Sequence, residues 1–264
     1  MGRVGIALAW HELQERLRDR WVLVISVLFA LLASAVGVYG RSAEAEVAKL
    51  TGPSLVTLAT LLVPLVALVL AHDAIVGERE RNTLGLLLSL PVGRFEVVIA
   101  KLVGRSVALV LAVVVGLGAA VVVSPGEEAA SLLALAGPTL LLGLAFLSIG
   151  LLISSIVRRQ VTAASAVVIV WFGLVFFYDL ALIGLLVVTD GSLPQDVVTA
   201  LVVGNPAGLY RVQMMYAYAG PDALRELGLA TSLPSGRIIA SLWLGWLMLP
   251  PLLSGLLLKW RKVA

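Results

Sequence analysis

Residues 53–72 read PSLVTLATLLVPLVALVLAH, with no Asp, Glu, Lys or Arg among them, and residues 73–94 follow as DAIVGERERNTLGLLLSLPVGR. At 1.5 Å per helical residue the first stretch covers about 30 Å, the thickness of bilayer hydrocarbon. Backbone in hydrocarbon has no water to bond, so a spanning segment of this length must be helical. The second stretch begins with both signs of charge packed together, which belongs in water. A membrane helix followed by a polar connection is the pattern that the rest of the chain repeats.

The whole chain of 264 residues is 60% apolar and 13% charged, with a mean hydropathy of +1.05, a balance that excludes an ordinary soluble domain. Apolar runs occur at about 21–40, 53–72, 103–123, 131–156, 162–188 and 238–258. The expected fold is therefore an all-α integral membrane protein with six transmembrane helices, a single domain over 1–264, and both termini on one side. On that side fall Arg3, Arg16, Arg18, Arg20, Arg79, Arg81, Arg94, Lys101, Arg105, Arg158, Arg159, Lys259, Arg261 and Lys262, against Arg41, Lys49, Arg211, Arg225 and Arg237 on the other, a 14-to-5 split of the 19 basic residues. The positive-inside rule makes the first side the cytoplasm, and the net charge of +3 then concerns topology, not nucleic acid. Ala33-Ser34-Ala35 resembles a signal-peptidase site, but Glu12, Glu15 and Asp19 precede the apolar run, so 21–40 is read as a retained span.

Before that run, over 1–20, Ile6, Trp10, Leu13 and Leu17 recur at helical spacing and predict an amphipathic elbow lying in the membrane plane with its apolar stripe toward lipid. Glu12, Glu15 and Arg16 fall on other faces. Pro64 and Pro250-Pro251 predict kinks within spans. The connection 189–237 is the longest. There Asn205-Pro206 signals a helix start and Leu209, Val212, Met215 and Tyr216 keep helical spacing, so short surface helices are expected, broken at Gly220-Pro221-Asp222 and Pro234-Ser235-Gly236.

Little in the chain can carry out catalysis. There is no Cys, and none of the four Lys follows a Gly, so the phosphate-cradling G-x-x-x-x-G-K-[ST] pattern is missing. His11-Glu12 opens like a zinc-protease helix, but Glu15 stands where the second His is required. Met214-Met215 without a neighbouring His or Cys makes a poor copper site, so no metal ligand set is assigned. Asp179 is the carboxylate set well inside a span. It lies about 26 Å along the helix that starts near Thr162, so it is either a hydrogen-bonded structural group in the outer half or a substrate or proton site.

The stretch Gly77, Glu78, Arg79, Glu80, Arg81, Asn82, Thr83 is dense in donors and acceptors, and Leu84, Leu87 and Leu88 then form an i, i+3, i+4 stripe ending before Pro91. A short helix polar at one end and apolar along one face suits a contact between the spans and a soluble partner.

Three stretches resemble the ABC-2 type permeases and, within them, the NosY-like permeases of nitrous oxide reductase maturation. They are Asp73 to Glu78 running through Thr83-Leu84 to Leu90-Pro91 and Arg94; Val170-Trp171-Phe172 with Asp179; and Asn205-Pro206 with Tyr210-Arg211. The resemblance implies a homodimer in the bacterial inner membrane, bearing two separate ATP-binding subunits on its cytoplasmic side. ATP and Mg would sit on those subunits, and this chain would hold no cofactor. It implies an ATPase contact through 77–94 and a periplasmic partner above, for which Asn205, Pro206, Tyr210, Arg211, Met214, Met215, Tyr216 and Tyr218 supply the aromatic, Met and Arg groups favoured at interfaces. It also implies a part in copper-site assembly of that enzyme. Export of a lipid, polysaccharide or drug is the alternative within the family, and an ion-coupled carrier the alternative outside it.

Overall fold

The structure, a computed structural model, describes residues 2–17, 27, 30, 31, 34, 51–89, 91–123, 127–226 and 234–260. Every regular element among them is helical: α1 (Arg3–Leu17), α2 (Thr51–Ala71), α3 (Val76–Glu80), α4 (Leu84–Ser89), α5 (Arg94–Val123), α6 (Glu127–Ile156), α7 (Gln160–Phe172), a π-helical turn (Gly173–Phe177), α8 (Tyr178–Val188), α9 (Gln195–Gly204), α10 (Pro206–Glu226) and α11 (Gly236–Trp260). Five stretches among the described residues are long and apolar enough to cross a membrane: Pro53–Glu80, Arg94–Ala119, Leu133–Ile156, Gln160–Val188 and Gly236–Trp260. The first expected span, 21–40, falls almost wholly outside the described residues.

Helix α6 is the centre of the bundle and packs on α2, α5 and α11, with α7 and α10 also against it. Small residues allow this crowding. A side chain at Gly143 would begin 2.9 Å from Leu109 Cδ2, and one at Gly150 would begin 2.7 Å from Ala71 Cβ. Gly150 thus lets α2 and α6 cross closely within one chain. Pro251 in α11 has no N–H for the carbonyl four residues back, and the Ser148 hydroxyl of α6 donates to that carbonyl, Leu247 O, at 3.4 Å.

Two sequence expectations change here. The helix begun at Asn205-Pro206 does not break at Gly220-Pro221-Asp222 but runs 21 residues to Glu226, since a Pro within a helix removes only one donor. It is also no surface helix: Ala207, Leu209, Tyr210, Val212 and Met214 are buried, and α10 packs on α2 and α6. The 162–188 span is continuous as expected but contains the π-turn 173–177. Asn205 Nδ2 donates to Leu174 O within that turn (2.6 Å), while Asn205 Oδ1 caps α10 by accepting from Ala207 N–H at 3.1 Å.

Candidate functional site

At one end of the bundle three segments far apart in sequence meet through charge. Helix α1 contributes Glu12 and Arg16, the α2–α3 turn contributes Asp73 and Glu78, and α5 contributes Lys101 and Arg105. Lys101 Nζ lies 2.9 Å from Glu12 Oε2 and 3.0 Å from Glu78 Oε1. Arg105 Nη2 is 2.6 Å from Glu12 Oε1, and its Nη1 is 2.6 Å from Asp73 Oδ1 and also donates to Leu70 O, a carbonyl near the end of α2. Arg16 Nη2 closes the ring on Asp73 Oδ2 at 3.0 Å. Three carboxylates thus face three cations, and Glu12, Arg16, Asp73, Lys101 and Arg105 are all buried. Outside them Arg81 reaches Glu15 at 3.5 Å.

Such burial is costly for each ion alone and tolerable only when charges and hydrogen bonds balance. Burial pushes the Glu12 carboxyl up, but the attraction of Arg105 and Lys101, the Lys101 hydrogen bond and Arg16 outweigh it, so Glu12 titrates below the usual range. Glycine lets the elbow come close enough for this: a Cβ on Gly104 of α5 would sit 2.6 Å from Ala9 O and 2.8 Å from Glu12 Cβ. Gly5 likewise abuts Glu96, whose Oε1 accepts from Gly2 N–H at 2.5 Å.

The predicted coupling residues divide between interior and surface. Gly77 is buried in α3, and Glu78 joins the ionic ring while accepting from the Thr83 hydroxyl. Ser154 Oγ accepts from the N–H groups of Ile75 and Val76, which begin α3, at 2.9 and 3.1 Å. Asn82 has φ +59, a left-handed turn that stops α3 and redirects the chain into α4. Leu84 is buried with Ala74, Ile75, Val98, Leu151 and Leu258, and Leu87 and Leu88 pack on that cluster. The leucine stripe therefore anchors the loop to its own bundle, and Leu86, 70% exposed, points outward with Glu80, Arg81 and Asn82. Arg79 Nη1 donates to Val157 O (2.6 Å), and Glu80 Oε1 accepts from Gln160 N–H (2.8 Å). Arg94 Nη1 donates to Leu258 O and Lys259 O at the end of α11.

Of the elbow stripe, Ile6, Trp10 and Leu17 are exposed and Leu13 turns inward with Ala9, Glu12 and Arg16 onto α5. At the other end of the bundle, Asn205, Pro206, Tyr210 and Met214 are interior, Met215 is half-buried and Tyr216 is exposed. The Tyr210 hydroxyl is 3.1 Å from Thr139 Oγ1. Arg211 Nη2 grips both oxygens of Asp179 at 2.6 Å, so Asp179 is an ion-paired group joining α8 to α10.

The ionic ring joins residues too far apart in sequence to show as a local pattern. One signal for it was present: Lys101 and Arg105 stand four apart on a helix, where like charges repel unless acids meet them, and Glu12 and Arg16 have the same spacing on α1.

A bundle of apolar helices crowded around one central helix, with charged residues neutralised at one end, is the build of a multi-pass membrane protein. The family model described as ABC-2 family transporter protein matches residues 6–263, and the chain belongs to that family. A protein named probable ABC transporter permease protein NosY from Pseudomonas aeruginosa is 39% identical over 249 residues, covering 90% of each chain. One of the same name from Stutzerimonas stutzeri is 37% identical over 250 residues, again 90% of each. The resemblance to NosY-like ABC-2 permeases drawn from the three sequence stretches therefore holds.

Proposed function

We propose that this chain is the permease subunit of an ABC transporter, a homodimer that takes its power from two separate ATP-binding subunits seated against the 76–89 loop. The observation that carries this reading is the loop's construction. Its inner face is bonded into the ionic ring and the Leu84 cluster, and its outer face presents Arg81, Asn82 and Leu86. A push on that outer face moves the bases of α1, α2 and α5 together, because Glu78 and Lys101 tie all three. The basic residues gathered at this end support its placement in the cytoplasm, with six spans in the inner membrane and the elbow stripe Ile6, Trp10 and Leu17 on lipid.

Likeness to the NosY permeases supports service to copper-site assembly of nitrous oxide reductase, by transmission of work to a periplasmic partner around Tyr216. ATP and Mg stay on the ATPase subunits.

Two leucines separate the parts of this reading. Leu86→Asp is expected to leave the purified permease as stable as the parent while co-purification and stimulation of the ATPase subunit fall. Leu84→Asp is expected to unfold the loop itself, since it buries an unpaired charge. Full ATPase retention by a folded Leu86→Asp chain would overturn the assignment.

A further inference from the structure

Of the five described spans, the one made of α7, the π-turn and α8 is the least enclosed. Ala163, Val167 and Val175 are its buried residues, while Ile169, Phe177, Leu180 and Val187 lie exposed. Within one copy of the chain little packed surface holds this helix, and a short set of directed bonds fixes where it sits. At its start the N-cap residue is Arg159, whose side chain has no acceptor and makes no capping bond. The acceptor comes from the 76–89 loop instead: Glu80 Oε1 takes the Gln160 N–H at 2.8 Å, a carboxylate on the positive end of a helix. At mid-length Trp171 Nε1 donates to Leu61 O of α2 at 2.9 Å. Beyond the π-turn, Tyr178 OH donates to Leu201 O at 2.6 Å, and Asp179 holds Arg211 of α10.

We propose that residues 160–188 form a lever. Glu80 is the positioning residue that fastens its lower end to the loop, Trp171 is the pivot on α2, and the Asp179–Arg211 pair hands its motion to α10. This adds a path to the one through α1, α2 and α5, and it rests on the reading that ATP-driven subunits push the loop. The π-turn sits just above the pivot, an irregularity of the kind frequent at functional sites. The exposed flank of the span lets it tilt without breaking a packed core.

The chain has no Cys, so single introduced cysteines can carry spin labels in the full complex in lipid nanodiscs, with a non-hydrolysable ATP analogue as the trigger. Labels at Ser89→Cys, Val187→Cys and Tyr216→Cys report the loop, the upper end of the lever and α10. In the parent all three respond. Glu80→Ala, which weakens the loop-to-helix contact about fivefold in its equilibrium by the loss of one hydrogen bond, is expected to lower the Val187-to-Ser89 response ratio, and Glu80→Gln, which keeps an acceptor oxygen, to restore it. Asp179→Ala, which removes the acceptor of Arg211 altogether, is expected to leave that ratio intact and lower the Tyr216-to-Val187 ratio. Should Glu80→Ala release the ATPase subunit, the Asp179→Ala arm decides alone, and an unchanged Tyr216-to-Val187 ratio overturns the proposal. An unchanged Val187-to-Ser89 ratio in Glu80→Ala overturns it too. A silent Ser89 label in the parent sinks the ATPase reading and the lever with it; a responding Ser89 label beside a silent Val187 label sinks the lever alone.

Discussion

The two ends of the bundle solve the problem of charge near a membrane in different ways. At one end, Glu12, Arg16, Asp73, Glu78, Lys101 and Arg105 form a nearly closed ring shared by three segments. At the other, Asp179 and Arg211 make a single pair with about a third of each side chain exposed. In a buried ring every ion depends on the rest, and removing one strands its partners in a poorly solvated place. In a half-exposed pair, water can take over from the missing partner, and little is lost. The ring therefore fixes a geometry on which the fold depends, whereas the pair joins α8 to α10 while adding little to stability.

Arg105→Ala should test this contrast most severely, because it leaves Glu12, Asp73 and the Leu70 carbonyl without their shared cation. A loss of about 3–5 kcal/mol is expected, read as a drop in thermal unfolding temperature in detergent and release of α1 to protease. Gly104→Val comes next. It should cost about 1–3 kcal/mol by overpacking, and because it leaves every charge in place, it separates close approach from ion pairing.

Acid should act more gently and reversibly. Since Glu12 titrates below its usual range in the folded chain, its contribution is complete above the ordinary glutamate value of about 4.3 and is lost only as pH falls through the lower folded value. A Leu13→Cys probe on the buried face of α1 should stay protected through pH 5 from a pyridyl disulfide, whose protonated ring keeps it reactive toward thiols in acid, and become reactive only in stronger acid. Protection lost already near neutral pH would argue against a charge-held elbow. The smallest effect is expected from Asp179→Asn, below about 1 kcal/mol in unfolding, with α10 still seated by its buried Leu209 and Tyr210. A loss equal to that of Arg105→Ala would erase the distinction between the ends.

How legible these features were in the sequence follows from the range of the interactions. Periods of 3.6 residues and runs of 20 apolar residues are local, and they placed α2, α6, the 160–188 span and α11 close to where they lie. Helix α5 was expected from 103 but begins at Arg94, because Lys101 interrupts the apolar run and is acceptable only with Glu12 and Glu78 beside it. The loop 77–94 stood out by composition, yet which leucines face inward depends on the Leu84 cluster, which draws on α5, α6 and α11. Asn205-Pro206 correctly announced a helix, but its burial between α2 and α6 was hidden, since Tyr210, Met214 and Met215 look the same in an interface as in a core.

The ring also bears on how the chain enters the bilayer during synthesis. Helix α1 leaves the ribosome with Glu12 met only by Arg16 one turn on, and Lys101, its closer partner from another helix, follows 89 residues later. In the interval the elbow can rest only loosely on the surface. When α5 emerges, Lys101 and Arg105 resist sinking and hold its lower end at the headgroups, their long side chains reaching for water. Docking of the waiting α1 then neutralises them and sets the depth of the helix. The earliest segment made thus acts as a gauge for one made much later. A chain deprived of α1 should insert its other spans normally and place α5 too shallow, a fault visible to glycosylation mapping of its far end.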